Sequence, residues 1–486
     1  MGDWITSFLL MGALSTGGTL PFWASANQFG LAPESNGVLA TASIQKDFNT
    51  EQALQYRCGA SLAFRADGMG QGLQRCNEVM VDEFYGSLRW KVLVLDVGFK
   101  HRELDFYGAS THLGSLSTTG GHLLSGVNAR SMPGYNLVCQ PVAIPFTKER
   151  LWFYGSFGDY KMLDNRYVEG ALCHRMSLYL KVCITSWMDF SFGLDHYALW
   201  GGLAPGQAMN NSVNFSNYFR VITGRAASAS GSQNDQMNVL GDHGGAELLR
   251  FDFKGNGWKI VFQHDIPYSD KSGMKFQNFP DGVNTLSFSF NDKKKWVSDV
   301  LYEFAYTMYQ SGPIHDPEVD EHGNPIPWNP SLCFIGRDDY FNNMEYKSGW
   351  TYYGRPMTLP LMFPVGTKAG TWSRHQTCMG FENTRLIAHH IGLSGMLFLK
   401  APYKLMLTFS QNYGSYGKQY AGENPSGKPW GTVKETPLLQ FSAAFVGEWP
   451  NLAGVKGLNL QYGIYGDIGE VLKNNFALTL GLRYRL

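Results

Sequence analysis

The sequence contains no run of about 20 apolar residues, the length that a membrane-crossing helix needs, so a helical membrane protein is excluded. Charged residues are scarce, at 16% of the 486 residues, and the formal net charge is zero. This balance argues against nucleic acid as a partner. The seven cysteines form no close pairs with zinc-like spacing, and their number is odd. We therefore predict buried or membrane-facing thiols without a disulfide framework, and neither a bound metal nor a cofactor.

Strict alternation of apolar and polar residues is what the sequence does contain, and it is clearest in residues 476–486. Every second residue from Phe476 is apolar, while those between are small or basic. In a strand the two rows face opposite sides, and the length fits a tilted membrane-crossing strand of about 9 to 11 residues. A one-residue slip would place Arg483 and Arg485 in lipid, at about 2 to 4 kcal/mol each near the midplane. We predict the closing strand of an outer-membrane β-barrel, with its C-terminus in the periplasm.

The same alternation predicts one all-β domain over residues 1–486, a transmembrane antiparallel β-barrel of about eighteen strands. The predicted strands lie near residues 3–13, 38–48, 54–66, 79–90, 91–100, 136–144, 150–159, 174–181, 186–199, 245–253, 257–264, 283–290, 297–307, 387–399, 403–413, 438–446, 458–467 and 476–486.

The connections between these strands alternate between short and long, as in barrels with short periplasmic turns and long external loops. A soluble β-sandwich has no reason to sort its connections in this way, so an integral outer-membrane protein is favoured. The predicted long external loops are residues 14–37, 101–135, 200–244, 308–386 and 414–437.

The start of the chain, from Trp4 to Ala13, is apolar enough to imitate the core of a signal peptide. No Lys or Arg precedes it, however, and the first basic residue is Lys46. Because a barrel must be exported, we expect that the signal peptide is missing from this chain and that residues 3–13 form the first strand.

Charged residues of both signs occupy the rows that should face the lumen. This mixture predicts ion pairs across a largely occluded lumen, or salt bridges that simply hold the wall together. The charged residues in the inward rows are Arg57, Arg65, Glu83, Arg89, Asp96, Lys100, Arg175, Lys181, Asp189, Asp195, Arg250, Asp252, Asp299, Glu303, Lys404, Arg483 and Arg485.

Several short motifs follow one another between residues 15 and 395. They include Pro21-Phe22-Trp23, Asn27-Gln28-Phe29-Gly30, Gly193-Leu194-Asp195-His196-Tyr197, Gln310-Ser311-Gly312-Pro313-Ile314-His315-Asp316 and Gly349-Trp350-Thr351-Tyr352-Tyr353-Gly354-Arg355. In these motifs the chain resembles a diverged branch of the capsule-assembly Wzi family of outer-membrane barrels. The resemblance implies eighteen strands, a lectin-like role in holding capsular polysaccharide or exopolysaccharide, and no enzymatic activity. The characterised form of that family also resembles a barrel with extra periplasmic helices, for which we expect no room before Trp4.

External loops are the expected place for function, because the wall is committed to lipid and to lumen packing. Aromatic planes beside Asp, Asn and Arg suit sugars, which combine an apolar ring face with many hydroxyls. The same residues would also serve as the core of a cap over the barrel mouth, and that alternative stays open. The candidate saccharide-binding residues are Trp23, Asn27, Gln28, Trp328, Asp338, Tyr340, Asn342, Asn343, Trp350, Tyr352 and Arg355.

A short helix is predicted at residues 214–223, with Asn214 as its N-cap, and we expect it to plug the barrel mouth. No catalytic residues are predicted. His389 and His390 are adjacent on a strand and point to opposite faces, so they cannot chelate one metal. The pairs His264-Asp265 and His315-Asp316 lack a third partner of the kind that a barrel enzyme would need.

The leading hypothesis is a non-enzymatic outer-membrane barrel that binds or organises capsular polysaccharide or exopolysaccharide at the cell surface. Its partners would be outer-membrane lipid, lipopolysaccharide and surface polysaccharide. One alternative is an accessory subunit that contacts other outer-membrane proteins, which co-purification in mild detergent would reveal. Another is a solute channel, which planar-bilayer conductance would reveal.

Overall fold

The computed structural model describes a closed antiparallel barrel of eighteen strands, in which β1 pairs with both β2 and β20. The described residues are 4–68, 76–101, 115–120, 123–124, 126–205, 212–229, 231–232, 235–236, 239–269, 278–310, 322, 338–374, 376–415 and 436–486.

The strands of the barrel follow the chain in order around the wall. A small hairpin, in which β14 and β15 have two residues each, is separate from the wall. The bounds of all these strands are β1 (Trp4–Ser15), β2 (Gly37–Lys46), β3 (Leu54–Asp67), β4 (Cys76–Trp90), β5 (Leu93–Phe99), β6 (Pro133–Ala143), β7 (Leu151–Lys161), β8 (Leu172–Cys183), β9 (Met188–Trp200), β10 (Asp242–Gly255), β11 (Trp258–Tyr268), β12 (Gly282–Phe290), β13 (Asp299–Tyr306), β14 (Thr351–Tyr352), β15 (Arg355–Pro356), β16 (Arg385–Leu397), β17 (Ala401–Gly414), β18 (Leu438–Trp449), β19 (Leu458–Gly469) and β20 (Asn475–Arg485).

All eighteen predicted strands are confirmed, with ends that differ by a few residues. The closing strand β20 shows why alternation is a sound guide. Leu480 points outward and is 61% exposed, whereas its neighbour Thr479 points into the lumen and is 7% exposed. The register pairs Leu480 with Gly12 of β1 and with Tyr462 of β19, so the first and last strands close the barrel.

The described residues include three short helical pieces with complete bounds, namely Phe22–Ser25, Phe215–Ile222 and a 3₁₀ turn at Leu452–Gly454. Within the described residues, no helix combines the length and the apolar character that crossing a membrane requires.

A plug of loop residues fills the external half of the lumen. We define the plug as the described parts of residues 20–26, 115–132 and 338–383. Its aromatic side chains pack in one cluster with inward-facing residues near the external ends of the strands, such as Tyr160 and Tyr197. The Trp350 ring, which is 0% exposed, lies 6.2 Å from the ring of Tyr197. The largely occluded lumen that we predicted is therefore present in this half of the barrel.

The charged residues of the lumen pair mainly along the wall. Asp189 of β9 forms an ion pair with Lys181 of the neighbouring strand β8 at 3.0 Å. Asp252 forms ion pairs with Arg250 at 2.8 Å and with Lys259 at 2.7 Å. For these residues, the expectation of salt bridges that hold the wall together is confirmed. The alternative expectation, ion pairs across the lumen, does not apply to them.

The predicted helix at 214–223 is confirmed as Phe215–Ile222, with Asn214 accepting a hydrogen bond from the backbone N–H of Asn217 at 2.9 Å. Its predicted place in the barrel mouth is wrong. Val221 of this helix packs against Ala198 and Trp200. Because Tyr197 faces the plug, Ala198 and Trp200 face outward, and the helix lies on the outer surface of the wall.

Candidate functional site

Four of the candidate saccharide-binding residues lie inside the plug. Trp23, Tyr340, Trp350 and Tyr352 are at most 2% exposed. The indole N–H of Trp23 donates to the Thr408 hydroxyl at 3.0 Å. These four side chains form part of the plug core, which is the cap role that the sequence had left as the alternative.

The candidate amides serve mainly to shape the loops. Asn27 donates to the Thr118 carbonyl at 3.0 Å, and the Asn342 side-chain oxygen accepts from the Phe381 N–H at 2.8 Å. Asn343 accepts from the N–H groups of Glu345 and Tyr346. Of the other candidates, Asp338 is half-buried, Gln28 is exposed, and Trp328 lies outside the described residues.

Arg355 is the one predicted residue of this set that lines a sizeable cavity at the external end. This cavity, of about 400 Å³, is called the mouth cavity below. It lies between the first external loop, the segment from 355 to 372 and the connection between β19 and β20. Aromatic rings and amides converge on it. Its main lining residues are Phe22, Asn128, Arg355, Phe363, Trp372, Asp467, Lys473, Asn474 and Asn475.

Asn475, at the start of β20, holds the first external loop against this cavity. Its side-chain oxygen accepts from the Ser15 hydroxyl at 2.7 Å and from the Gly17 N–H at 2.9 Å, while its amide nitrogen donates to the Thr19 carbonyl. A Cβ on Gly17 would come within 2.9 Å of the Asn475 side chain, so this close approach requires glycine.

Asp467 of β19 positions the helix Phe22–Ser25. Its Oδ2 accepts from the Phe22 N–H at 2.8 Å, and the side chain is buried at 3% exposure. A buried carboxylate that receives a charge-assisted bond from a backbone N–H fixes that backbone firmly. The floor of the mouth cavity is therefore tied to the barrel wall.

Arg355 and Trp372 form the polar and aromatic parts of one wall of the cavity. The guanidinium lies 5.6 Å from the Trp372 ring centre and donates to the Ser25 carbonyl at 3.2 Å. The indole N–H of Trp372 donates to the Gly354 carbonyl at 3.0 Å, which fixes the plane of the half-buried ring. Burial is the main cause that lowers the pKa of Arg355 to about 10; Glu34 opposes the shift, and Arg65, Arg374 and Arg130 add to it.

A charged cluster lies behind Arg355, and in it three arginines face three carboxylates. Arg374 pairs with Glu34 at 2.7 Å and Asp67 at 3.1 Å, and Glu78 pairs with Arg65 and Arg130. Arg355 makes no ion pair within 4 Å among the described residues. Glu34 has the largest charge effect on Arg355, but its ion-pair partner is Arg374.

Sequence reasoning missed Asp467, Lys473, Asn474 and Asn475. The segment from 467 to 475 looks like an ordinary turn between two strands, and only barrel closure places it beside the first external loop. Among the described residues, no group of three or more His, Cys, Asp or Glu side chains is placed to hold a metal ion.

No protein-family model matches the chain, and no curated protein sequence matches it. Solved structures do match in fold. Wzi of Escherichia coli, described as an outer-membrane protein involved in group 1 capsule assembly and a carbohydrate-binding β-barrel, is 12% identical, with a TM-score of 0.51 over 98% of this chain and 83% of Wzi. OccK9 (OpdG) of Pseudomonas aeruginosa is 9% identical, with a TM-score of 0.50 over 100% of this chain and 98% of the other. A BenF-like porin from Pseudomonas fluorescens is 9% identical, with a TM-score of 0.47 over 100% of this chain and 98% of the porin.

These likenesses bear on fold and location. The eighteen-stranded barrel that the sequence resemblance implied is confirmed, whereas membership of the Wzi family stays a prediction. Wzi is described as an outer-membrane β-barrel, and the outward rows of the present barrel are apolar. The chain is an integral outer-membrane β-barrel of eighteen strands.

Proposed function

We propose that the protein binds a surface saccharide in the mouth cavity and catalyses no reaction. The observation that carries the proposal is the combination of a half-buried Trp372 plane, an arginine without a carboxylate partner and several amides around about 400 Å³. Aromatic planes cover the apolar face of a sugar ring, while amides and guanidinium groups match its hydroxyls. A cavity of this size accommodates a small ligand or a short part of a polymer.

The charge around the cavity favours a saccharide that carries a carboxylate. Arg355 and the exposed Lys473 both line it, and Arg355 has no ion-pair partner among the described residues, whereas Glu34, which also lines the cavity, is paired with Arg374. A guanidinium in a poorly hydrated site binds a carboxylate through two parallel hydrogen bonds, which adds both affinity and orientation. Asp467 lies on the opposite side, where it can accept from a sugar hydroxyl.

In the cell, this binding would hold or organise capsular polysaccharide or exopolysaccharide at the surface. The mouth cavity belongs to the external end of the barrel, where such a polymer is presented. The role would be the carbohydrate binding that the Escherichia coli barrel Wzi is described as having.

The test is binding of the purified protein to a glycan array that includes neutral and uronic-acid-containing oligosaccharides. Trp372→Ala and Arg355→Gln should each reduce the signal, and Arg355→Gln should reduce it most for the acidic sugars. Trp296→Ala is the matched control, because Trp296 is 65% exposed at a periplasmic turn, far from the cavity. Equal losses in Trp372→Ala and Trp296→Ala, or no binding by the wild type, would contradict the proposal.

Planar-bilayer conductance and mild-detergent purification address the two alternatives. The plug fills the external half of the lumen, so we expect no stable single-channel current. Steady conductance that a surface polysaccharide fails to block would favour a solute channel instead. A protein that co-purifies in fixed stoichiometry would favour an accessory subunit of a larger assembly.

A further inference from the structure

A row of polar side chains faces outward on the barrel wall, where most outward-facing residues are apolar. The row crosses β7 to β10 through Asp159, His174, His196 and His243. His174 Nδ1 lies 2.9 Å from Asp159 Oδ1, and His196 Nε2 lies 2.8 Å from His243 Nδ1. The three histidines are at most 8% exposed. This set is called the outer polar row below.

The height of the outer polar row places it at the external edge of the lipid layer. His174 is nine residues from Cys183, the periplasmic end of β8. At about 3.3 Å per residue and a tilt of about 40°, it stands roughly 23 Å above that end. The apolar band of such barrels is about 25 Å tall. Nearer the periplasm on β8, Leu178 is outward-facing and 56% exposed, as expected of a lipid contact.

Residues 212–225, called the rim segment below, lie against this row. The Tyr218 hydroxyl donates to Asp159 Oδ2 at 2.6 Å, and the hydroxyl of Tyr135 on β6 donates to the same atom. Val221 packs against outward-facing Ala198 and Trp200. Through Tyr218 the rim segment therefore gives Asp159 a hydrogen-bond donor and covers the His174 ring, whose centre lies 5.7 Å from that of Tyr218, at a surface where acyl chains offer polar groups no partner.

The other faces of the helix in the rim segment divide into two stripes. Phe215, Phe219 and Ile222 follow one i, i+4, i+7 stripe, with Phe215 82% and Phe219 43% exposed. The adjacent stripe contains Ser216 and Arg220, together with Thr223 just beyond the helix. A helix with one face on protein, one apolar stripe and one polar stripe matches an element that lies in the plane of a membrane interface.

We propose that the rim segment is a membrane-interface element, which seals the outer polar row from lipid and lays Phe215 and Phe219 against the acyl chains of the external leaflet. The helix packs on the outward face of β9, and Phe192, nearer the periplasm on the same strand, is also outward-facing and 37% exposed. The apolar stripe is also too small for a stable protein interface. Two phenylalanines bury at most about 500 Å², whereas a standard interface buries about 800 Å² on each partner.

The test is photo-crosslinking in intact outer membranes, with p-benzoyl-L-phenylalanine replacing Phe215. We expect adducts with membrane lipid, in a yield similar to that from the same group at Leu178, a wall position. The group at Ser216, on the polar stripe of the same helix, should give a severalfold lower yield. Because residue 215 is highly exposed, the replacement should not disturb folding.

The same replacement at Phe219 tests a second residue of the apolar stripe for contact with lipid, and it should also yield lipid adducts. Lipid adducts from Leu178 but from neither Phe215 nor Phe219 would overturn the proposal. Adducts from Phe215 and Phe219 to another protein in place of lipid would overturn it as well, and would identify the stripe as a docking surface.

Discussion

The plug core and the mouth cavity come largely from the same external loop and use the same residue types, yet they do different things. Trp350 in the plug core is 0% exposed and packs against Tyr197 of the wall. Trp372, only 22 residues later, is half-buried and presents its ring to a cavity beside Arg355. An aromatic residue in a barrel loop is therefore not evidence of binding by itself. What matters is whether the structure leaves one face of the ring uncovered.

Among the variants, Trp350→Ala is expected to have the largest effect, a loss of plug stability, because it removes the central side chain of the plug core. Loss of a fully buried tryptophan costs about 3 to 5 kcal/mol. We expect the plug to become sensitive to chymotrypsin while circular dichroism shows an intact β-sheet, because the wall keeps its own hydrogen bonds. Trp372→Ala is the matched control and should leave protease resistance nearly unchanged. Equal sensitivity in both variants would remove the distinction between the two regions.

The next largest effect is expected from Asn475→Ala, which separates the first external loop from β20. The change removes the hydrogen bonds of Asn475 to Ser15, Gly17 and Thr19, each worth about 0.5 to 1.5 kcal/mol, while the Ser15 hydroxyl still bonds the Gly17 N–H and the Thr19 carbonyl. Saccharide binding should fall with little change in the unfolding of the wall. Asn475→Asp keeps the acceptor for Ser15 and Gly17 and should lose less binding. If both variants bind like the wild type, the loop is held by other contacts.

A smaller effect is expected from Lys473→Ala, which removes an exposed charge from the cavity lining. Solvent-exposed charge pairs contribute about 0.2 to 1 kcal/mol, so affinity for an acidic saccharide should fall roughly two- to fivefold. The loss should shrink at high salt and should be absent for neutral sugars. Lys294→Ala, an exposed lysine in a periplasmic turn, is the control. A loss that is equal for neutral and acidic sugars would argue against the proposed charge preference.

A pH dependence is expected at Asp281, which ties two external loops together. Its carboxylate accepts from the N–H groups of Tyr309 and Gln310 and from the Tyr340 hydroxyl, and burial raises its pKa to about 7. Since this folded-state pKa exceeds the usual unfolded value of about 3.9, the folded state holds the extra proton between these values. The contribution to stability is present below about pH 4 and is lost as pH rises through 7.

Hydrogen exchange at the Tyr340 amide reports this contact, since that amide donates to the Gln310 side chain at 3.2 Å. After correction for intrinsic exchange, its protection should fall between pH 5 and pH 8. Asp281→Asn has no titrating group there and should flatten the slope, whatever its effect on absolute protection. A slope that persists in Asp281→Asn would place the titrating group elsewhere.

The barrel could be predicted from the sequence because the residues of each strand match the surroundings that they face. In β20, alternate residues face lipid or lumen, so the alternation from Phe476 onward indicates both the strand and the side that each residue faces. The helix Phe215–Ile222 was predictable for a similar reason, because its cap and apolar spacing are local. Its place on the outer wall was not predictable, since it depends on Tyr218 meeting Asp159, which lies 59 residues earlier.

The candidate site was predicted only in part. The loop from 308 to 386 contributes to the mouth cavity and Arg355 lines it, whereas Trp350, Tyr340 and Tyr352 face inward to the plug. Sequence composition cannot distinguish these roles, because both need aromatic rings beside hydrogen-bonding groups. Asn475 and Asp467 were missed because their contacts with residues 15–22 arise only when the last strands pair with the first.

The most direct test is a structure of the protein bound to an oligosaccharide selected from the glycan array. The account predicts saccharide density in the mouth cavity, with a ring face on Trp372 and, for an acidic sugar, the carboxylate on Arg355. Density at another surface, with the mouth cavity empty at saturating ligand, would contradict it.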